Sequence, residues 1–324
     1  MTWREELLER LAAAIPCGYE RRGPPATEPT CLAAIALSIY GRHEQSLPAL
    51  QWLASLQNDD GSVGPTPELE TPGWPTAWAV LAGGYTSRSR KSDVLGLGDS
   101  SDVGGDDARQ NQQPFSVERG VQWLLDTKGG TLARQPSMGH DSMLVGWPWV
   151  AGTHSWVEPT ALAVLALKSV GHGDHPRTRE GVSVLHDRLL PDGGCNCGNT
   201  IVFGQALLPH IQPTGLALLA LYGEKDHDGR IARSLDWLQG AIDGQTAAAS
   251  LAYATWALAR YGRNMPNAES WLAKASERTA TMASPYRMAL LILAGASLEC
   301  DDLSSLSFSN ALSHLRGPSA RGTH

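Results

Sequence analysis

The sequence predicts an all-α fold, an α6/α6 toroid (barrel) in which six outer–inner helix hairpins surround a central apolar cavity. Two kinds of helical segment alternate through the 324 residues, and four inner segments begin with closely related residues. A hairpin that buries only part of its surface has to stack on neighbours. We expect the stack to close into a ring, because an open arc would leave one side of the apolar inner segments in water.

The outer segments carry apolar residues on one face and polar residues on the other, as helices do when only one side is packed. Most have Trp-Leu near the middle, as in LPALQWLASLQ and IARSLDWLQGA. Their tryptophans, which are Trp52, Trp123, Trp237 and Trp271, are therefore predicted to pack against inner helices. The predicted outer segments span 2–15, 47–57, 117–127, 179–190, 231–241 and 267–277.

The inner segments are apolar nearly all round, which is typical of buried helices. Four of them begin with a proline, whose fixed φ suits the first helical position and whose missing N–H would have no helical partner there. These prolines are Pro29, Pro75, Pro159 and Pro213. The predicted inner segments span 29–40, 75–84, 159–170, 213–222, 245–261 and 284–295.

The six hairpins make residues 1–324 a single domain with two irregular parts. Residues 86–113 are rich in Ser, Gly, Asp and Gln and have few large apolar side chains, so they are predicted to form a disordered surface insertion. One further helix is predicted near 309–316, followed by a short C-terminal tail from about 317.

Composition narrows the class of function. The net charge of −7 argues against nucleic acid as a partner, because phosphate binding needs clustered Lys and Arg. No apolar run reaches the roughly 18 residues that span a bilayer, and the first residues lack the pattern of a signal peptide. The five cysteines are irregularly spaced, which indicates reduced thiols. We therefore expect a cytoplasmic protein.

Four segments carry residue patterns that resemble a known superfamily. LQWLASLQNDDGSVG (50–64) and the turn PDGGCNCGN (191–199) are similar to the QW-type repeats of squalene–hopene cyclases. GWPWVAGTHSWVEPTALAVLAL (146–167) and IQPTGLALLAL (211–221) resemble inner-helix starts of those cyclases and of protein prenyltransferase β subunits. The resemblance implies a barrel whose hydrophobic cavity holds an isoprenoid chain. It also implies that the repeat's Gln side chain bridges to backbone at a neighbouring helix start.

The chemistry that this resemblance implies is only partly present. The cyclases carry their general acid in a DxDD motif before an inner helix. Here Glu158 alone keeps a carboxylate, at the place of the proton donor, and no DxDD occurs. The β subunits hold zinc with a D-x-C pair and a later His, whereas the corresponding positions from Glu158 and around Gln212 have neither thiolate nor imidazole.

Four residues immediately precede the first prolines of inner segments, and we expect them to gather at one mouth of the ring. They are Glu28, Trp74, Glu158 and Gln212. One interpretation is stabilisation of helix N-termini, where negative side chains are favoured by the helix dipole. The other is that Glu158, together with Glu28, acts as general acid or base, since two neighbouring carboxyls can divide these roles by separating their pKa values.

The connection 140–156 precedes an inner helix and is expected to lie over the same mouth. Trp147, Trp149 and Trp156 either bind substrate through aromatic faces, which stabilise cations, or plug the end of the barrel. His154 is a further candidate acid or base, with a structural hydrogen bond as the alternative.

The turn 191–199 and the residue His210 contain a candidate metal site. Cys195 and Cys197 follow Asp192, and His210 lies nearby in sequence, so the four offer ligand types that zinc prefers. The alternative is that the cysteines fill the place of a packing aromatic side chain, and no other cofactor is expected.

The sequence therefore predicts an enzyme that cyclises or isomerises an isoprenoid or similar apolar substrate, starting from a proton donated by Glu158. Tyr253 and Trp256 lie three residues apart on an inner segment and are expected to line the cavity wall. One alternative is a non-catalytic binding or scaffold protein that keeps the ring. Another is an α6/α6 glycoside hydrolase with two carboxylates. Expected partners are the apolar molecule and, at the open rim, a membrane surface or a second subunit.

Overall fold

The protein is all-α. The structure, a computed structural model, describes residues 2–299 apart from 70, 72, 97–114 and 136, and describes only the backbone of 87–96 and 280. Within these residues twelve helices are found: α1 Trp3–Ala12, α2 Thr27–Ile39, α3 His43–Leu56, α4 Pro75–Gly96, α5 Val117–Asp126, α6 Val157–Ser169, α7 Pro176–Arg188, α8 Ile211–Leu221, α9 Arg230–Ala241, α10 Ala248–Arg260, α11 Ala268–Met282 and α12 Pro285–Glu299. None of these described helices is long and apolar enough to cross a bilayer.

The helices contact one another in a closed cycle. Each even-numbered helix packs against the next even-numbered helix, and α12 packs against α2. Each odd-numbered helix contacts the two even-numbered helices that flank it in the chain, and α1 contacts both α12 and α2. The even-numbered helices therefore form the inner ring and the odd-numbered helices the outer layer.

Helix α1 joins the two ends of the described chain. The Arg4 guanidinium donates hydrogen bonds to both carboxylate oxygens of Glu269, at 2.8 and 2.5 Å, and the Trp3 indole N–H donates to the same carboxylate at 2.9 Å. On the other side of α1, Arg42 pairs with Glu9 at 2.7 Å. Because the carboxylates are exposed, we attribute most of the closure to apolar packing of α1 rather than to these pairs.

The inner helices have almost no accessible surface. Trp78 and Tyr253 are each 1% exposed, and Leu32, Leu218 and Leu290 are fully buried in one continuous apolar core. A hollow wide enough for an isoprenoid chain would leave the side chains that face it with accessible surface. The expected central cavity is therefore largely filled by side chains, and a ligand has to bind towards an end of the ring.

The recurring Pro-Thr start of the inner helices is a packing device. Four threonine hydroxyls that follow the helix-start prolines are buried and bonded to the backbone of the preceding connection. They belong to Thr30, Thr76, Thr160 and Thr214. For example, the Trp147 N–H donates to Thr160 Oγ1 at 2.9 Å. These bonds satisfy backbone groups that would otherwise be buried without partners.

The Gln of the QW-like repeat makes the expected bridge. Gln57 Nε2 donates to the Ser116 carbonyl at 2.9 Å, and Gln57 Oε1 accepts from the Ser116 N–H at 2.9 Å. Ser116 is the N-cap of α5. Nearby, Gly61 has a φ of 90°, and a Cβ there would lie 2.3 Å from the Arg119 carbonyl oxygen, so only glycine fits against the start of α5.

Two parts of the chain differ from the prediction or fall outside the described residues. Helix α4 continues to Gly96, so the first part of the predicted insertion 86–113 is helical, and the rest lies outside the described residues, as do 309–316 and the tail. A small hairpin, β1 Ile201–Val202 with β2 Gln205–Ala206, was not predicted. Strands of two residues are too short to show an alternating pattern.

Candidate functional site

A polar cluster forms where the inner helices begin. We call Tyr19, Glu28, Trp78, Glu158, Gln212, Tyr253 and Tyr286 the carboxyl cluster, because the two glutamates interact with each other and with the surrounding phenols. The structure thus brings together three of the four predicted rim residues. The cluster lies at the end of the ring, where the fully buried core stops and half-buried side chains begin.

Glu28 lies on the first turn of α2 and is held by one phenol. The Tyr19 hydroxyl donates to Glu28 Oε2 at 2.6 Å. Burial raises the pKa of Glu28 to about 7, the Tyr19 hydrogen bond opposes this rise, and the charge of Glu158 adds to it. In the described part of the chain no Lys, Arg or His forms an ion pair with Glu28. A carboxyl in this setting holds its proton close to neutral pH.

Trp78 supplies an unused donor beside this carboxyl. Its side chain is 1% exposed, and its indole Nε1 has no hydrogen-bond partner among the described residues. The indole N–H lies near enough to Glu28 to favour the carboxylate form, although it does not complete a hydrogen bond. A buried donor without a partner is uncommon and costs about 1–3 kcal/mol. The Trp78 N–H is therefore available to an acceptor atom of a ligand, or to the Glu28 carboxylate if that group moves towards it.

Glu158 lies at the corresponding position of α6 and has a different environment. Its Oε1 accepts a hydrogen bond from Gln212 Nε2 at 3.3 Å. Burial raises the pKa of Glu158, while the Gln212 bond and the charge of His210 lower it. Burial therefore raises the pKa of both carboxyls, but their partners differ: Glu28 accepts from a phenol, whereas Glu158 accepts from an amide and lies near the charge of His210.

Three tyrosines complete the cluster. The Tyr253 and Tyr286 side chains lie close enough to affect each other's pKa, and the rings of Tyr19 and Tyr286 lie 5.3 Å apart. Burial raises the pKa of each phenol, so all three stay protonated at neutral pH. The cluster is therefore a pair of carboxyls surrounded by neutral aromatic groups.

Sequence reasoning missed three members of the cluster. Two of them had a signal: Trp78 lies one helical turn after Trp74, and Tyr286 follows Pro285 as Thr30 follows Pro29. Aligning the inner helices on their first proline places both at the same end of the ring. Tyr19 had no such signal, because it belongs to an irregular loop.

We predict opposite pKa shifts from two substitutions in the cluster. Tyr19→Phe removes the hydrogen bond that stabilises the Glu28 carboxylate, so the pKa of Glu28 should rise above its value of about 7. Glu158→Gln removes a neighbouring negative charge, so the pKa of Glu28 should fall. Carboxyl chemical shifts in a pH titration measure both. Shifts of the same sign would contradict the assigned contacts.

Trp147, a predicted substrate-binding residue, has a structural role. It is 2% exposed, its indole N–H donates to the Leu124 carbonyl at 2.8 Å, and the Arg177 guanidinium lies 3.6 Å from its ring. Arg177 in turn donates to the Gly146 carbonyl at 2.6 Å. Trp147 therefore anchors the connection before α6 and offers no face to a ligand.

The remaining aromatic candidates lie beside the cluster or below it. Trp74 and Trp149 are half-buried and meet edge to face at 5.3 Å. Trp156 is half-buried and packs on the exposed His154 at 4.7 Å. His154 lines a different pocket, which also contains His140. Trp256 is 4% exposed and belongs to the apolar core.

The predicted zinc ligands do not form a metal site. Among the described residues no three His, Cys, Asp or Glu side chains gather as metal ligands would. Cys195 is fully buried, its N–H donates to Thr214 Oγ1 at 2.9 Å, and burial raises its pKa to about 12, so it is a thiol and not a thiolate. Cys197 is half-buried, and Asp192 and His210 are exposed. Cys195 therefore packs in the protein interior.

Comparison with known proteins corrects the expected superfamily. The sequence matches no family model and no curated protein. Its fold is similar to part of Salmonella alpha-2-macroglobulin reacted with methylamine, with a TM-score of 0.50 and 14% identity over 92% of this chain and 17% of that one. A mutant of the Salmonella protein gives a TM-score of 0.50 and 13% identity over 91% and 17%.

The expected membership of the squalene–hopene cyclase and prenyltransferase β-subunit superfamily is therefore wrong. Solved structures matched over nine-tenths of the chain include alpha-2-macroglobulins. In this chain the Gln57 bridge and the Gly61 turn join neighbouring hairpins, which is a packing role that does not identify a superfamily. At 13–14% identity the match shows the fold alone, and this chain spans about one sixth of the matched chains.

Proposed function

We propose that the carboxyl cluster is a proton-transfer site at which a small neutral molecule is isomerised, with Glu28 as acid and Glu158 as base. The observation that carries this proposal is a pair of neighbouring half-buried carboxyls, Glu28 bonded to Tyr19 and Glu158 bonded to Gln212, with no ion pair from a cation to Glu28 in the described chain. Burial raises the pKa of Glu28 to about 7. General acids and bases work best when their pKa lies near the operating pH. Two carboxyls in unlike surroundings divide the two roles.

The proposed reaction moves a proton between two carbons of a carbonyl compound. The Glu158 carboxylate takes a proton from the carbon next to the carbonyl, and the C–H electron pair forms the enol double bond. The Glu28 carboxylic acid gives its proton to the carbonyl oxygen. The Tyr19 O–H stabilises the Glu28 carboxylate that results, and the Trp78 N–H is the second donor available to it. When that neighbouring carbon carries a hydroxyl, the enol is an enediol. Glu158 then gives its proton to the former carbonyl carbon, the second hydroxyl gives its proton to the Glu28 carboxylate, and the electron pair of that O–H bond forms the new carbonyl.

The filled core limits the size of the substrate. Trp78 and Tyr253 are buried next to the carboxyls and leave no room for a substrate at their own positions. The substrate therefore rests on the half-buried side chains of Trp74, Gln212 and Tyr286. An isoprenoid substrate remains a prediction from sequence, and it requires the chain to lie across the rim rather than along the ring axis.

Isotope exchange tests this proposal without knowledge of the natural substrate. A panel of small ketones and aldehydes is incubated with the protein in D₂O, and deuterium at the carbon next to the carbonyl is followed by NMR. We expect exchange by the native chain and a loss of about 100-fold or more in Glu28→Gln and in Glu158→Gln, because positioned acid–base groups contribute factors of that size.

The matched control is Glu20→Gln, which makes the same chemical change at an exposed residue and should exchange like the native chain. Native exchange rates in Glu28→Gln would contradict the proposal. So would the absence of exchange for every compound in the panel.

A second candidate function is non-catalytic binding of a small organic cation. It is favoured by the aromatic rings of Tyr19 and Tyr286, 5.3 Å apart beside an uncompensated carboxyl, since aromatic faces and carboxylates bind ammonium groups. Titration with an alkylammonium salt should then show affinity that increases as the pH rises through about 7, where Glu28 loses its proton. Binding of the cation without any isotope exchange would favour this function over isomerisation.

A further inference from the structure

A second pocket lies apart from the carboxyl cluster and contains different chemistry. Its volume is about 160 Å³, and it lies between the connection 130–155, the end of α7 and the turn before β1. The polar side chains on its wall belong to Arg188, His140, Ser142, His154, Ser155 and Asn199. None of its lining residues belongs to the carboxyl cluster, so it is a separate site.

Arg188 provides a nearly buried positive charge on the wall. Its side chain is 5% exposed and pairs with the adjacent Asp187. Its other hydrogen bonds go to the Asp141 carbonyl at 3.4 Å and are long. A guanidinium has five N–H donors, so this one has donors available for a stronger acceptor in the pocket. The neighbouring carboxylate of Asp141 is held by Arg134.

Two further groups present donors. His140 Nδ1 lies 3.2 Å from the Thr200 hydroxyl and 3.5 Å from the Thr200 N–H. Thr200 therefore occupies Nδ1, and Nε2 is the ring nitrogen left for a ligand, as a donor when it carries a proton. Ser155 Oγ accepts from the Gly146 N–H at 2.7 Å, which leaves its own hydroxyl proton for another acceptor. Arg188 and Ser155 therefore each have a donor available to a ligand, whereas the Ser142 hydroxyl already donates to the Leu132 carbonyl at 2.9 Å.

The rest of the lining is apolar. Leu132, Met138 and Leu144 contribute hydrocarbon to the wall. A volume of about 160 Å³ equals that of about five water molecules in the liquid, at roughly 30 Å³ each. The ligand that fits has an anionic group for Arg188 and His140, an apolar part for Leu144, and about six heavy atoms.

We propose that this pocket binds a small monocarboxylate with a short hydrocarbon chain, its carboxylate on Arg188 and His140 and its chain against Leu144 and Met138. An inorganic oxyanion would satisfy the donors but leave the apolar wall uncovered, whereas a neutral amide would fill the wall without a charge for Arg188. The proposal does not depend on the function of the carboxyl cluster.

The experiment is an NMR titration of the full chain with butyrate, with inorganic phosphate and butyramide as separate arms. We expect saturable shifts of the His140 ring and Ser155 amide signals with butyrate, at millimolar affinity because so small a ligand makes few contacts. His140→Phe should weaken butyrate binding about tenfold, because one hydrogen bond to a charged group is lost.

Leu144→Trp, which fills the pocket without removing a charge, should abolish the shifts. Leu69→Trp adds the same ring at an exposed loop residue outside this pocket and should leave them unchanged. Circular dichroism of each variant confirms that it is folded, and Glu28→Gln should bind butyrate normally. Equal binding of phosphate or butyramide would overturn the proposal, as would butyrate shifts that persist in both His140→Phe and Leu144→Trp.

Discussion

Glu28→Gln is expected to make the protein more stable above pH 7 by roughly 3 kcal/mol, because burial raises the pKa of Glu28 from 4.5 to about 7 and each pKa unit corresponds to about 1.36 kcal/mol. A carboxyl whose pKa is higher in the folded protein than in the unfolded chain stabilises the folded protein while the pH is below the unfolded-state pKa. That contribution is lost as the pH rises to the folded pKa. Glutamine resembles the neutral acid in shape, and its amide oxygen can still accept from Tyr19.

Urea unfolding at a series of pH values measures this difference. The free energy of unfolding of Glu28→Gln relative to the native chain should increase between about pH 4.5 and 7 and then level off. The exposed Glu20→Gln should show little such trend. A difference that is flat across this range would mean that Glu28 is well solvated and ionised in the folded protein.

This prediction also bears on function. A variant that is more stable but has lost isotope exchange would show that Glu28 is kept at a cost in stability, which is common for groups in active sites. A variant that gains stability and keeps full exchange would leave Glu28 without a role in proton transfer.

Trp147→Ala is expected to destabilise the protein by about 4 kcal/mol, because replacing a buried tryptophan with alanine loses transfer free energy and leaves a cavity. Trp147 is 2% exposed, and its loss also leaves the Leu124 carbonyl without its indole donor. The face of the Arg177 guanidinium would lose its aromatic partner as well.

Trp149→Ala is the matched control. Trp149 is the same residue type two positions along, but it is half-buried and its aromatic contact is Trp74. Trp149→Ala should lower the free energy of unfolding by no more than about half as much as Trp147→Ala. Urea unfolding of both variants compares them, and equal costs would mean that the connection is not anchored through Trp147. Trp147→Phe should recover part of the loss by refilling the cavity.

The helices were predictable because their signals are local and repeated. Apolar periodicity located all twelve. The prolines predicted at the first helical position hold it only in α4, since Pro29, Pro159 and Pro213 are the third residues of α2, α6 and α8. The bridge from Gln57 to Ser116 was expected from the resemblance to QW-type repeats. The short hairpin at 201–206 did not, since two residues per strand carry no periodicity.

The candidate site was predictable only in part. Glu28, Glu158 and Gln212 share a position relative to a proline, and a ring brings such positions together. Tyr19 joins them through a loop whose path depends on tertiary contacts. The roles of the tryptophans in the connection before α6 were harder to predict. Trp147 and Trp149 are the same residue type two positions apart, and only their burial in the folded protein shows that Trp147 anchors the connection.

Six helical hairpins with apolar inner members, two of which begin with a carboxyl, could be read from the amino-acid sequence, because these features depend on residues close together in the chain. The packing of distant segments fills the ring and places Trp147 in the framework. It also gives Glu158 an amide partner, while no cation pairs with Glu28 in the described part of the chain. Each of these depends on which side chains from distant segments occupy the same space, and burial and pKa are properties of that shared environment rather than of any residue alone.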